Sequence, residues 1–169
     1  MTRLEEWREF YLLIGTAGVT LTGLLFVVVS LGPRIVAHHE ETGVKAFISP
    51  NAVYFTTTLV VSAILLIPHI SALISGTLIC AGGLGTLIYL AFTRAHQQWR
   101  AEKLPIHDWI WFVGLPMAAC GLLLLSGIGL MLNLALANYA VSVALIVMLV
   151  IGIRNAWDLV IWISKQEHR

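Results

Sequence analysis

Residues 15–30 read GTAGVTLTGLLFVVVS, and they sit inside the first long apolar run of the chain, Phe10 to Leu31. The second half of this stretch, LLFVVV, is made of the branched side chains that hydrocarbon favours. The first half, GTAGVTLTG, is two-thirds glycine and threonine. A helix needs roughly 20 apolar residues to cross about 30 Å of hydrocarbon, and this run is long enough. The Gly/Thr half belongs to the same run, so it needs a reason of its own.

Four more runs of the same kind follow. The expected spans are 10–32, 50–67, 70–92, 109–132 and 138–157. The fold class expected is therefore all-α, a polytopic transmembrane helix bundle forming a single domain over 1–169. The totals agree with it. The chain is 59% hydrophobic and 11% charged, against roughly 25% charged in a soluble domain. Its mean hydropathy is +0.88. A net charge of +1 gives no basic stripe for nucleic acid. MTRLEEWREF is mixed in charge and lacks a cleavage site, so the first run is expected to stay in the membrane.

The breaks between runs carry ordinary helix punctuation. Thr2-Arg3-Leu4-Glu5 fits a capping box, and Gly32-Pro33 ends the first helix. Ser49-Pro50 reads as an N-cap followed by proline at the first helical position, opening the second helix. Pro68-His69 and Asn133–Asn138 leave room only for tight turns. Pro116 falls inside the fourth run and is expected to kink it. Beyond Trp157 the apolar pattern continues, so the fifth helix either turns along the interface or runs straight on.

Lysine and arginine set the expected orientation. Five spans put the amino-terminal tail and the two tight turns on one side, with Arg3 and Arg8. The other side carries Arg34, Lys45, Arg94, Arg100, Lys103, Arg154, Lys165 and Arg169. Basic residues favour the cytoplasm, which places the N-terminus outside and the C-terminus in the cytoplasm. Tryptophans 7, 99, 109, 111, 157 and 162 fall near span ends, as an aromatic belt requires.

Polar residues sort into stripes at steps of three and four. In the first span the stripe is Thr16, Thr20, Gly23, Val27 and Ser30, with Glu9 and Arg34 at its ends. In the second it is Asn51, Phe55, Thr58, Ser62 and then His69, and in the third Ser71, Ser75, Gly82, Thr86 and Thr93, with Tyr89 between the last two. The fourth has Ala119, Ser126 and Asn133, and the fifth Asn138, Ser142, Gly152 and Asn155. Two explanations compete. Small residues gather where membrane helices approach closely, which suits Gly18 with Thr22 and Gly82 with Thr86. Hydroxyls can also line a wetted path. Thr16, Thr20, Gly23, Val27 and Ser30 are the pore-lining candidates, and Arg154, Asp158 and Glu9 the mouth candidates. Five packed helices fill their own centre, so a pore would lie on the axis of a homo-oligomer.

No Asp, Glu, Lys or Arg falls mid-span, which disfavours proton-coupled transport and leaves passive conduction. Cys80 and Cys120 read as free, small apolar residues. His38, His39, Glu40 and Glu41, with His96, His107 and Asp108, lack ligand spacing, so neither a metal nor a cofactor is expected. No nucleophile–base or paired-carboxylate pattern suggests an enzyme. The loops 33–49 and 93–108 are the places where a cytoplasmic partner would dock.

Trp7-x-x-Phe10, the small-residue run, and Gly23-Leu24-Leu25-Phe26-Val27-Val28-Val29-Ser30-Leu31 together resemble the opening of a group of small, uncharacterised bacterial membrane proteins. The resemblance covers about 25 residues. It implies a bacterial inner membrane and no mechanism. The functional expectation is a homo-oligomeric passive channel for ions or small solutes. Its alternative is a non-conducting accessory or scaffold subunit that modulates a partner.

Overall fold

The computed structural model describes residues 6–31, 41–98 and 110–166, and every regular element among them is helical. Five α-helices follow one another: α1 Arg8–Leu31, α2 Glu41–Leu66, α3 Ala72–Gln98, α4 Leu115–Met131 and α5 Ala137–Gln166. A single π-helical turn, Ile110–Gly114, leads into α4. Three helices contain apolar stretches long enough to cross a membrane: Arg8–Val28, Ala72–Phe92 and Ala137–Asp158. Pro50–Leu66 and Leu115–Met131 are shorter apolar helices. These stretches make the chain a membrane protein.

The helices alternate in direction. Gly15 of α1 faces Ser62 of α2 and Gly18 faces Phe55, Thr58 and Leu59, so the two run antiparallel. Gly76 of α3 lies against Gly127 and Met131 of α4, while Gly83 lies against Leu123 and Leu124, again antiparallel. Trp7 packs on Tyr139, which brings the starts of α1 and α5 to the same end of the bundle. Helices α2, α5, α4 and α3 form a closed ring by neighbour contacts, and α1 packs chiefly on α2 at its outside. Large side chains fill the interior: Tyr11, Tyr54, Phe55, Ile79, Leu90, Leu123, Leu145 and Met148 are all fully buried.

Two tight turns join the helices. The α2–α3 turn passes through His69 at φ 56°, and the α4–α5 turn through Asn133 at φ 54°. Asparagine tolerates this left-handed region better than most residues. Its N–H donates to the Leu130 carbonyl at 2.9 Å, and Leu134 N–H donates to Gly129 O at 2.8 Å, which satisfies the end of α4.

The prolines behave differently from the sequence expectation. α2 does not open at Ser49–Pro50; it starts at Glu41 and carries Pro50 inside it. Ending a helix in apolar surroundings would leave several backbone groups unpaired, each costing several kcal/mol. Running through a proline loses one bond. The lesser loss decides the outcome, and the segment 41–49, expected in a loop, is helical. Pro116, expected to kink the fourth span, is the second residue of α4, just after the π turn, and its missing N–H is accommodated by that local π adjustment. Gly114 keeps helical angles there (φ −61°, ψ −54°), so the π turn feeds into α4 without a break. At the other ends, α3 reaches Gln98 rather than 92. α5 continues unbroken to Gln166 rather than turning at Trp157. Its 30 residues span about 45 Å at 1.5 Å per residue. The Thr2 capping box, His38, His39 and Glu40, and His107 with Asp108 lie outside the described residues.

Candidate functional site

The polar stripes divide into an inner set and an outer one. On α2, Asn51, Thr58 and Ser62 are fully buried and Phe55 is nearly so. On α5, Asn138, Ser142 and Asn155 are buried, as is Gly152. Ala119 and Ser126 of α4, and Ser75 and Thr86 of α3, are buried too. Phe55 rests edge-on against Gly152, close enough that a Cβ there would collide with the ring. The ring therefore seals the α2–α5 seam between Asn51 at one end and Thr58 and Ser62 at the other. Leu145 and Met148 of α5, also fully buried, belong to the same apolar core as Phe55.

Most of the inner hydroxyls are satisfied locally. Thr58 donates to the Tyr54 carbonyl at 2.9 Å, Ser126 to Leu123 at 2.8 Å and Ser142 to Tyr139 at 2.8 Å. Among the described residues, two hydroxyl bonds cross between helices. Thr86 donates its one hydroxyl proton to Gly82 O at 2.9 Å. Thr57 Oγ1, 3.0 Å away on α2, must then be the donor to Thr86. Tyr11 of α1 donates to Asn138 Oδ1 of α5 at 3.1 Å, beneath a cluster of Trp7, Phe10 and Tyr139. Tyr11→Phe keeps the ring and deletes this bond. It is expected to lower stability by about 1 kcal/mol, read as a coupling energy in a double-mutant cycle with Asn138→Ala.

The stripe of α1 is the outer one. The residues α1 buries are Tyr11, Ile14, Gly15, Gly18 and Leu25. Thr16, Thr20, Gly23, Val27 and Ser30 are all exposed on the opposite face, so they line no interior of the protomer. Nothing lies within 4 Å of where a Gly23 Cβ would stand. The hydroxyls turn back on their own helix: Thr16 to Leu12 O at 2.7 Å, Thr20 to Thr16 O at 2.9 Å and Ser30 to Phe26 O at 2.8 Å. Such back-bonding removes the need for water on this face. Among the three long apolar helices α1 is the least buried.

The expected packing residues fall on both sides of that division. Gly18 approaches the α2 backbone, with a Cβ position 3.0 Å from the Phe55 carbonyl. Thr22 is half-buried and donates to Gly18 O at 2.8 Å. Gly82, by contrast, is exposed with nothing within 4 Å, so it packs against no helix among the described residues. Its neighbour Gly83 is the buried one, against Leu123 and Leu124. One close helix approach was missed by the stripes: Gly76 and Gly127 meet backbone to backbone, beside Cys80, whose Sγ donates to Leu124 O at 3.4 Å.

The mouth candidates sit apart. Glu9 is exposed near the start of α1. Arg154 and Asp158 pair along α5 at 4.0 Å, each about a third exposed. The Arg154 guanidinium also stacks 4.1 Å over the Trp111 ring of the π turn. That cation–π contact ties α5 to the entry of α4 and was not foreseen, because it joins residues 43 positions apart with no periodic signal. An exposed pair of this kind contributes at most about 1 kcal/mol. With an aromatic ring beside it the arrangement is that of an anchor. Of the expected docking loops 33–49 and 93–108, residues 41–49 and 93–98 are helical and the rest lie outside the described residues.

No known protein family matches the chain, and no curated protein or solved structure matches it.

Proposed function

We propose that this protein is a five-span membrane subunit that assembles with copies of itself through the outer face of α1 and does not conduct. α2 and α4 cross as well, and the charge count puts the N-terminus outside and the C-terminus in the cytoplasm of a bacterial inner membrane. The observation that carries the reading is the two-sidedness of α1. Its inner face uses Gly15 and Gly18 to let α2 come close. Its outer face offers Thr16, Thr20 and Gly23, the same kind of surface with open space above Gly23 and no helix of the protomer against it. Small residues in lipid-exposed helices support helix association. The hydroxyls there already have acceptors, so the face can be covered dry.

The second reading is a passive ion or small-solute channel on the axis of the same assembly, with Thr16, Thr20, Gly23, Val27 and Ser30 as its lining. Exposed Glu9, seven residues before Thr16 on the same helical face, favours it. A ring of carboxylates at an entrance is a common cation filter. One preparation separates the readings. The purified protein is weighed in native lipid and assayed for potassium and small-solute release from liposomes. A multimer with tight liposomes is expected. Flux that falls when Thr20→Leu is introduced would replace the first reading with the second, and a monomer would overturn both.

A further inference from the structure

We infer that the Asn51 end of the α2–α5 seam is a hydration site, holding a buried water bridged between Asn51 and Asn155. Asn51 is fully buried, and among the described residues neither its Oδ1 nor its Nδ2 has a hydrogen-bond partner. A primary amide offers two donors and two acceptor sites. Leaving such a group bare in an apolar interior costs roughly 2–7 kcal/mol, comparable to the whole stability of many domains. Ser62 Oγ is also without a partner, but a hydroxyl rotates to its own i−4 carbonyl without moving the chain, as Thr58 does. Asn51 has no such local remedy for both of its atoms.

Three features converge on that place. Pro50, the residue before, lacks an N–H, so the Ala46 carbonyl four residues earlier has no helical donor. Phe55 touches Gly152; Asn51 lies one turn from Phe55, and Asn155 lies about one turn from Gly152 towards the same end. Asn155 is itself 3% exposed. The occupant follows from the chemistry of these groups. Two amides and one carbonyl present both donors and acceptors, so the ligand must both accept and donate. A metal cation only accepts electron pairs, and a simple anion offers no donors. Arg154 and Asp158, which flank Asn155 on α5, pair with each other and add no net charge beside it. Water meets these conditions and makes about three bonds in such sites. The Phe55 ring keeps it from the rest of the seam.

The test uses the full chain in lipid nanodiscs with asparagine side chains labelled with nitrogen-15. Water-edited magnetisation transfer reads which amide protons touch bound water. The Asn51 amide is expected to show a water cross-peak, and Asn155→Leu to cut its intensity at least twofold. Asn51→Leu is expected to abolish the peak. Should that variant fail to fold, Asn155→Leu still decides. An Asn51 amide that contacts only protein or lipid protons would overturn the inference, as would a cross-peak indifferent to Asn155→Leu.

Discussion

Gly127→Ala is expected to destabilise the bundle by about 2 kcal/mol, and Gly127→Leu to prevent α3 and α4 from docking. The sign is the informative part. In a helix interior, alanine is favoured over glycine by about 1 kcal/mol, so an innocent site would gain stability. At Gly127 the new Cβ would stand 2.6 Å from Cys80 Sγ and 2.8 Å from the Gly76 carbonyl oxygen. The second neighbour is backbone and cannot rotate away, so the helices must separate. Overpacking of this kind costs about 1–3 kcal/mol, occasionally more. Gly76→Ala meets the reciprocal contact at 2.5 Å from Gly127 O and is expected to behave alike. Gly82→Ala and Gly85→Ala are the controls. Both positions are exposed with nothing within 4 Å, and both are expected to be neutral or to stabilise by up to about 1 kcal/mol. Reversible denaturation in mixed micelles reads all four.

Gly152→Leu is the second large effect. Its side chain would occupy the place of the Phe55 ring, which is 2% exposed. A loss of about 3 kcal/mol or more is expected. Phe55→Ala alone removes a buried aromatic and is expected to cost about 3–5 kcal/mol. The two changes are complementary in volume, so the double variant should be more stable than the sum of the single losses predicts by at least about 1 kcal/mol. Strict additivity would mean that α2 and α5 do not meet at this pair.

These contacts show what could be read from the residues beforehand. The helical period is strong in α2 and α5. Asn51, Phe55, Thr58 and Ser62 share one face, as do Asn138, Ser142, Gly152 and Asn155, and each set is buried together. α1 is different because both of its faces carry small residues. Gly15 and Gly18 point inward, while Thr16 and Thr20 point outward. One residue is about 100° of rotation, and composition cannot say which of two similar faces meets α2. Gly82 and Gly83 present the same ambiguity, and only the second is buried. The proline signals misled for a physical reason. Ser49-Pro50 is a sound helix start in water, where a helix end is solvated. In lipid the cost of an open end outweighs one missing bond, and α2 runs through.

The outward position of the α1 stripe is the point on which the functional account turns. Disulfide cross-linking between copies in native membranes tests it directly. Single cysteines are placed along α1 in a Cys80→Ala, Cys120→Ala background. Thr16→Cys, Thr20→Cys, Gly23→Cys and Val27→Cys are expected to give intermolecular dimers on mild oxidation. Phe26→Cys and Val28→Cys, exposed on the flanks of the same helix, are expected to give few. Dimers that peak at the flanking positions, or that form at no position along α1, would contradict the account.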